Sequence, residues 1–262
     1  MTLQLRAHEF HFRALQSVYF PPHKAANVVR GALWPAVSDL APTPSTRPSG
    51  LARPPQPFVL RVAHLDGKRI EAGETFSIRL HLFELRQPLL TKFTDAFSAW
   101  AETGLGSGRA RVHLLGNVDM ETSLSLEANS PASRCRVTFL TPAELKGTQN
   151  SSNIPFAVLF ARIRDRISTL RALYGEGPLP IDFRAMAERA NLVTTTASAL
   201  TYRDVLRRSS RTSQVHGIGG FQGTVDYAGD LTEFIPWLKA AWWTGVGRHT
   251  VWGNGVIEVS VD

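Results

Sequence analysis

A single cysteine, Cys135, stands in the 262 residues, which excludes an internal disulfide and any zinc finger or knuckle built on cysteines. It lies in the apolar alternation RCRVTFL and reads as an inert core thiol. No run of about 18 apolar residues is available to span a membrane. The start of the chain, MTLQLRAHEF, lacks the continuous apolar stretch of a signal peptide, so the cytoplasm is the expected compartment. No GxxxxGK[ST] occurs, which leaves nucleotide hydrolysis without support. No HxH or HxxxH spacing marks a metal site among His8, His11, His64, His81, His113 and His216, which read as structural or surface residues. Neither a metal nor a cofactor is therefore expected. Lysine is also scarce: 24 of the 29 basic residues are arginine.

What is present is enough to fold. A hydrophobic content of 43%, with six Trp and fourteen Phe, can bury a sizeable core and argues against disorder. The length suits two domains of ordinary size, drawn here as 1–133 and 134–262. A net charge of +7 and a pI near 10.1, carried by guanidinium groups, favour a polyanion as partner. From charge alone, a basic proteome of high genomic GC content explains the balance equally well.

Residues 3–14 read as a first strand, which Pro21 and Pro22 end. The stretch from His23 to Ser38 reads as a helix burying Val28, Val29, Ala32 and Leu33, and Pro35 is expected to end or kink it. Six prolines between Ala41 and Pro57 describe a long, solvated linker. Extended runs follow at 57–64 and 75–85, then a helix over 89–102, then strands at RARVHLLGNV and RCRVTFLTP. Phe156, Leu159, Phe160, Ile163, Ile167 and Leu170 recur at spacings of three and four and define one helical face, with Arg162, Arg166 and Arg171 mainly off it. Asp182 is placed to cap a short helix to Ala190, and VTTTASALTY is β-branched and extended. The run 217–229 alternates as a half-exposed strand. A helix follows, LTEFIPWLKAAWW, which Gly229-Asp230 is expected to cap, and TVWGNGVIEVSV reads as the last strand. Both halves then run β, α, β, β, α, β, the ferredoxin-like pattern.

The sharpest motif is TGVGRHTVWGNG, in which Gly245, Gly247, Gly253 and Gly255 surround Arg248 and His249. Glycines let backbone N–H groups approach an anion closely, and an adjacent arginine pairs with a phosphate. The plain alternative is a set of turns needing positive φ. The glycines follow a helix and precede a strand, the reverse of a dinucleotide-binding fingerprint.

The order TPAELK, PFAVLFARIRDRISTLRALYG, RRSSRTSQVHGIGGFQGTVDYAGDL and FIPWLKAAWWTGVGRHTVWGNGVIEV resembles the CRISPR repeat-processing endoribonucleases of the RAMP superfamily. FPPHKAANVVRGALW is similar to the start of their first helix. The resemblance implies an α+β fold of two tandem ferredoxin-like (RRM-like) domains with a C-terminal glycine-rich loop. It also implies metal-independent cleavage of CRISPR repeat RNA by 2′-OH attack, leaving a 2′,3′-cyclic phosphate, and retention of the mature crRNA. The further partners it implies are other CRISPR effector subunits.

Such a reaction needs a base, a cation for the phosphorane and an acid for the 5′ oxygen. The resemblance points to His23 as acid or base, near Tyr19, with Lys24 and Arg30 as charge-stabilising groups. The alternatives are an exposed helix-start histidine, a solvated helix arginine and a site centred on arginine in place of His23. His249 could reach the phosphate or merely contact RNA backbone or solvent. Arg203, Arg207, Arg208 and Arg211, four arginines in nine positions, repel unless an anion is present, and are assigned to RNA. Arg162, Arg164 and Arg166 could extend that track or form a solvated face. A non-catalytic RAMP subunit that only binds crRNA predicts the same fold and differs in leaving repeat RNA uncut. A third reading, a basic protein unrelated to RNA, predicts no loss of RNA affinity and no shallower salt dependence in Arg248→Ala.

Overall fold

The computed structural model describes residues 1–38, 40, 54–85, 89–146, 153–208 and 215–262; for 206–208 and 215–216 the description extends to the backbone. The N-terminal half is built from β1 (Thr2–Ala14), β2 (Val18–Tyr19), α1 (Ala25–Val37), β3 (Phe58–Arg61), β4 (Arg69–Ile70), β5 (Thr75–Leu82), α2 (Leu89–Ser98), α3 (Trp100–Thr103) and β6 (Val112–Ser125). One 3₁₀ turn, Ala63–Leu65, follows β3. The C-terminal half comprises β7 (Arg134–Ala143), α4 (Phe156–Tyr174), α5 (Phe183–Ala190), β8 (Thr194–Arg203), β9 (Leu206–Arg208), β10 (Val215–Gly217), β11 (Gly220–Ala228), α6 (Ile235–Thr244) and β12 (Ile257–Val261).

Each half holds a four-stranded antiparallel sheet. The orders are β3-β5-β1-β6 and β12-β7-β11-β8. Renumbered within its own half, each sheet has its fourth strand beside the first and its third between the first and second. That arrangement, with one helical crossover on either side of the central hairpin, is the ferredoxin-like topology twice over.

Strand alternation explains how each sheet packs. Phe10, Phe12 and Ala14 of β1 point to the helical side of the sheet, where Phe97 of α2 and Trp100 of α3 close an aromatic cluster around Phe12. Cys135, Val137 and Phe139 of β7 are buried beneath α4 and α6, while Arg134 and Arg136 face water. All six apolar residues of the α4 stripe are buried, as their spacing predicts. The opposite face of the first sheet is also covered. Leu5, Ala7, Val59 and Phe83 pack on Leu170 and Tyr174 of α4, so the two halves share a third apolar cluster.

Basic side chains reinforce this junction at the C-terminal end of α6. Arg61 Nη2 donates to Trp242 O at 2.5 Å, His81 Nδ1 donates to Trp243 O at 2.9 Å and Arg166 Nε donates to Thr244 O at 2.7 Å. The last carbonyls of a helix lack intrahelical partners and carry negative partial charge, which suits these donors. Burial pushes Arg61 down to about 9 and Arg166 to about 10, while burial and the Arg61 charge push His81 down to about 3.

Four expectations are corrected. Helix α1 runs through Pro35 to Val37 rather than stopping there, and its buried set is Ala25, Val29, Arg30, Leu33 and Val37, with Val28 and Ala32 half-buried. The helix foreseen at 89–102 is two, α2 and α3, joined at Ala99. Helix α6 is capped at Phe234, with Pro236 in its first turn; Asp230 instead accepts from the Thr232 N–H in the preceding turn. The last strand is only Ile257–Val261, because Thr250–Trp252 forms a 3₁₀ turn flanked by left-handed His249 and Gly253. Most of the proline-rich segment, 41–53, and Arg211 lie outside the described residues.

Candidate RNA-processing site

Helix α1 begins at an unusual backbone. His23 has φ of 59°, a left-handed conformation that a residue with a Cβ seldom adopts. Lys24 stands at the helix cap without a capping side chain of its own. Asp66, just beyond the 3₁₀ turn after β3, supplies the missing acceptor: its Oδ1 takes the Ala25 N–H at 2.8 Å. Burial raises the Asp66 carboxyl, opposed by its backbone hydrogen bonds to Ala25 and Lys24 and by the neighbouring His23. His23 is exposed and lines a cleft together with Ala26, Asp66, Thr141, Gly253 and Asn254, and its neighbour Lys24 is exposed. The cleft therefore brings the start of α1 against the glycine-rich loop.

The loop from Gly245 to Gly255 is held by its own backbone. Val246 N donates to Gly255 O, Arg248 N to Glu144 O, Gly255 N to Pro142 O and Val256 N to Thr141 Oγ1, at 2.9 to 3.0 Å. Gly245, Gly247, Gly253 and Gly255 all have φ between 70° and 77°. A Cβ on Gly255 would fall 1.9 Å from Val246 O, and one on Gly247 would fall 2.3 Å from Glu144 O. The glycines thus serve left-handed turns and close backbone approach, and several loop N–H groups are spent on internal carbonyls. Arg248 and His249 supply the loop's basic side chains.

Those side chains share one partner. Glu144 Oε1 accepts from Arg248 Nη1 at 2.8 Å, and Glu144 Oε2 lies 3.2 Å from His249 Nε2. Burial lowers the His249 imidazole, with Glu144 pulling the other way.

Arg30 sits beside the cleft rather than in it. Its guanidinium carbon lies 3.9 Å from the Trp34 ring centroid and 3.4 Å from that of Trp252, so the loop is clamped to α1 through a Trp–Arg–Trp stack. Gly253 reaches the same helix, since a Cβ there would stand 2.8 Å from Ala26 Cβ. Asn254 Nδ2 donates to Ile218 O at 2.7 Å, tying the loop to the segment between β10 and β11. Ile218 N in turn donates to Val205 O, so exposed Arg203 and the β9–β10 hairpin carrying Arg207 and Arg208 rise next to the loop.

The helix arginines are engaged within the protein. Arg166 caps α6, Arg164 binds Phe183 O and Asp165, and Arg162 lies 3.8 Å from Asp165. Asp66 and Glu144 were not foreseen from the sequence as site residues, because each reaches the site from a separate element; Trp252 and Asn254 lie inside the glycine-rich motif but are neither glycine nor basic, the residue types that drew attention there. Among the described residues, no group of three or more His, Cys, Asp and Glu side chains is arranged to hold a metal ion. None of their helices is long and apolar enough to cross a membrane.

The chain therefore holds two ferredoxin-like units in tandem, with a glycine-rich connection between the last helix and last strand. Residues 137–257 match the family described as CRISPR-associated endoribonuclease Cas6, and residues 36–128 match a family described as an N-terminal domain. The match to the Cas6 family covers 121 of the 262 residues and lies within the C-terminal half.

Solved structures agree on the fold. Thermus thermophilus Cas6 is similar at 17% identity, with a TM-score of 0.59 over 99% of this chain and 99% of that one. A Cas6 product complex is similar at 18% identity, with a TM-score of 0.60 over 98% and 99%. A partial Cas6-RT-Cas1–Cas2 complex is similar at 10% identity, with a TM-score of 0.64 over 99% of this chain and 46% of that one. No curated protein matches the sequence at a significant level.

Proposed function

We propose that this chain cuts CRISPR repeat RNA without a metal ion and keeps hold of the crRNA it produces. The observation that carries the reading is the cleft in which His23 and Asp66 face Gly253 and Asn254 of the glycine-rich loop. In the reaction the ribose 2′ oxygen bonds to the adjacent phosphorus and the bond from phosphorus to the 5′ oxygen breaks. The 2′-hydroxyl gives up a proton, the departing 5′ oxygen receives one, and a 2′,3′-cyclic phosphate remains. His23 exchanges one of these protons through its imidazole.

Lys24, exposed beside it, supplies positive charge to the phosphorane. Arg30, stacked between two indoles, holds the loop in register with α1. Arg203, Arg207, Arg208, Arg211, Arg248 and His249 with the glycine-rich loop form the RNA-binding surface, where contacts go mostly to phosphate and 2′-OH groups. The product complex among the similar structures supports RNA processing, and the assembly with reverse transcriptase, Cas1 and Cas2 supports other CRISPR proteins as partners. The deciding experiment incubates purified protein with its repeat RNA in excess EDTA and analyses the ends. One cut with a cyclic phosphate is expected; intact RNA would leave only a crRNA-binding subunit.

A further inference from the structure

Glu144 engages both basic side chains of the glycine-rich loop with one carboxylate, Oε1 on Arg248 and Oε2 on His249. Two oxygens offered to two donors is also what the non-bridging oxygens of a phosphodiester present. The side chain is free to leave without unmaking the loop, because it is the Glu144 main-chain carbonyl that accepts from Arg248 N at 3.0 Å. The partners are also open to an incoming anion: the Arg248 side chain is 63% exposed, that of His249 29% and that of Glu144 22%.

We propose that Glu144 is an internal stand-in for an RNA phosphate: it fills the Arg248–His249 seat in the free protein and is displaced when RNA arrives. The proposal rests on the reading that this loop binds CRISPR RNA. The swap keeps the Arg248 charge neutralised and both side chains ordered before binding, and it weakens contacts with anions that bring too few other interactions to displace the carboxylate.

The exchange has a counter-ion signature. A phosphate that meets a free cation releases a condensed counter-ion and steepens the salt dependence of binding. Here the displaced carboxylate takes up a cation as the phosphate sheds one, so this contact adds almost nothing to the slope in the natural protein. Removing the Glu144 charge leaves the release uncompensated.

The test is a double-mutant cycle on full-length protein, binding a fluorescent single-stranded RNA that carries the CRISPR repeat, in EDTA over a range of salt. Glu144→Gln is expected to bind about two- to fivefold tighter, the scale of a partly exposed ion pair, with a log–log salt slope steeper by about 0.7. Arg248→Ala should weaken binding in both backgrounds and flatten the slope only where Glu144 is absent. Glu188→Gln, which removes an equal charge from exposed α5, controls for net charge.

Binding by Glu144→Gln no tighter than by Glu188→Gln would overturn the proposal. If Glu144→Gln fails to fold, the Arg248→Ala slope still decides. Weaker binding with an unchanged slope in the natural background supports the swap, where the sequence alone leads to a shallower slope; undiminished binding, or a slope shallower by about 0.7, overturns it. Absence of RNA binding by the unaltered protein would instead sink the RNA reading itself.

Discussion

The Arg30 guanidinium lies 3.4 Å from the centre of the Trp252 ring, and by this contact the first helix of one half of the protein holds the glycine-rich loop of the other. Trp34 closes the opposite side of the stack at 3.9 Å. Only a planar cation can lie flat between two indoles, so lysine is a poor replacement. Arg30→Ala and Arg30→Lys should each lower stability by about 1–3 kcal/mol in urea unfolding, from lost stacking and packing. Both should slow RNA cleavage. Full activity in Arg30→Ala would show that the clamp does not position the site.

Asp66 separates capping from charge. Its carboxylate accepts the Ala25 N–H at the start of α1, next to His23. Asp66→Ala should cost about 0.5–2 kcal/mol of stability, whereas asparagine, also a good cap, should restore most of it. If alanine and asparagine melt at the same temperature, the carboxylate is not acting as the cap.

His81 makes stability depend on pH in a defined direction. Its folded pKa is pushed down to about 3 by burial and by Arg61, so the folded protein holds it neutral. The unfolded chain protonates it near 6.5. As pH falls below about 6.5 the unfolded state binds the extra proton, and stability is lost at up to about 1.4 kcal/mol per pH unit from this group until pH approaches 3. His81→Gln, which keeps a donor for Trp243 O, should give a shallower decline between those limits. His8, His64 and His249, also lowered by burial, leave a residual slope. Equal slopes in denaturant titrations of the two proteins would contradict this assignment.

Gly255 tests why the loop needs glycine. A Cβ there meets Val246 O at 1.9 Å in a left-handed backbone. Gly255→Ala should therefore destabilise by well over about 1 kcal/mol. A near-neutral effect on thermal melting would return the glycine to a purely RNA-contacting role.

Much of this was legible in the sequence where one element settles the matter alone. The α4 stripe from Phe156 to Leu170 is buried as its spacing dictates, and Asp182 caps α5 through the Arg184 and Ala185 N–H groups. The last strand was misread at its start because Thr250, Val251 and Trp252 are strand-forming residue types, yet left-handed His249 and Gly253 fold them into a turn. Asp230 was taken as the α6 cap by composition, while its side chain is spent one turn earlier. The partners of the site were not legible. Asp66 meets His23 across 43 positions, and Glu144 meets Arg248 across 104. No local pattern encodes such pairs, which exist only once distant segments of the same half pack together.

The central claim is that His23 carries a proton in strand scission. Its most direct test is the single-turnover cleavage rate of the repeat RNA by natural protein and by His23→Ala in excess EDTA, with RNA binding measured in parallel. The account predicts a loss of about 10²- to 10⁴-fold in rate with RNA affinity retained. Cleavage by His23→Ala at the natural rate would contradict it.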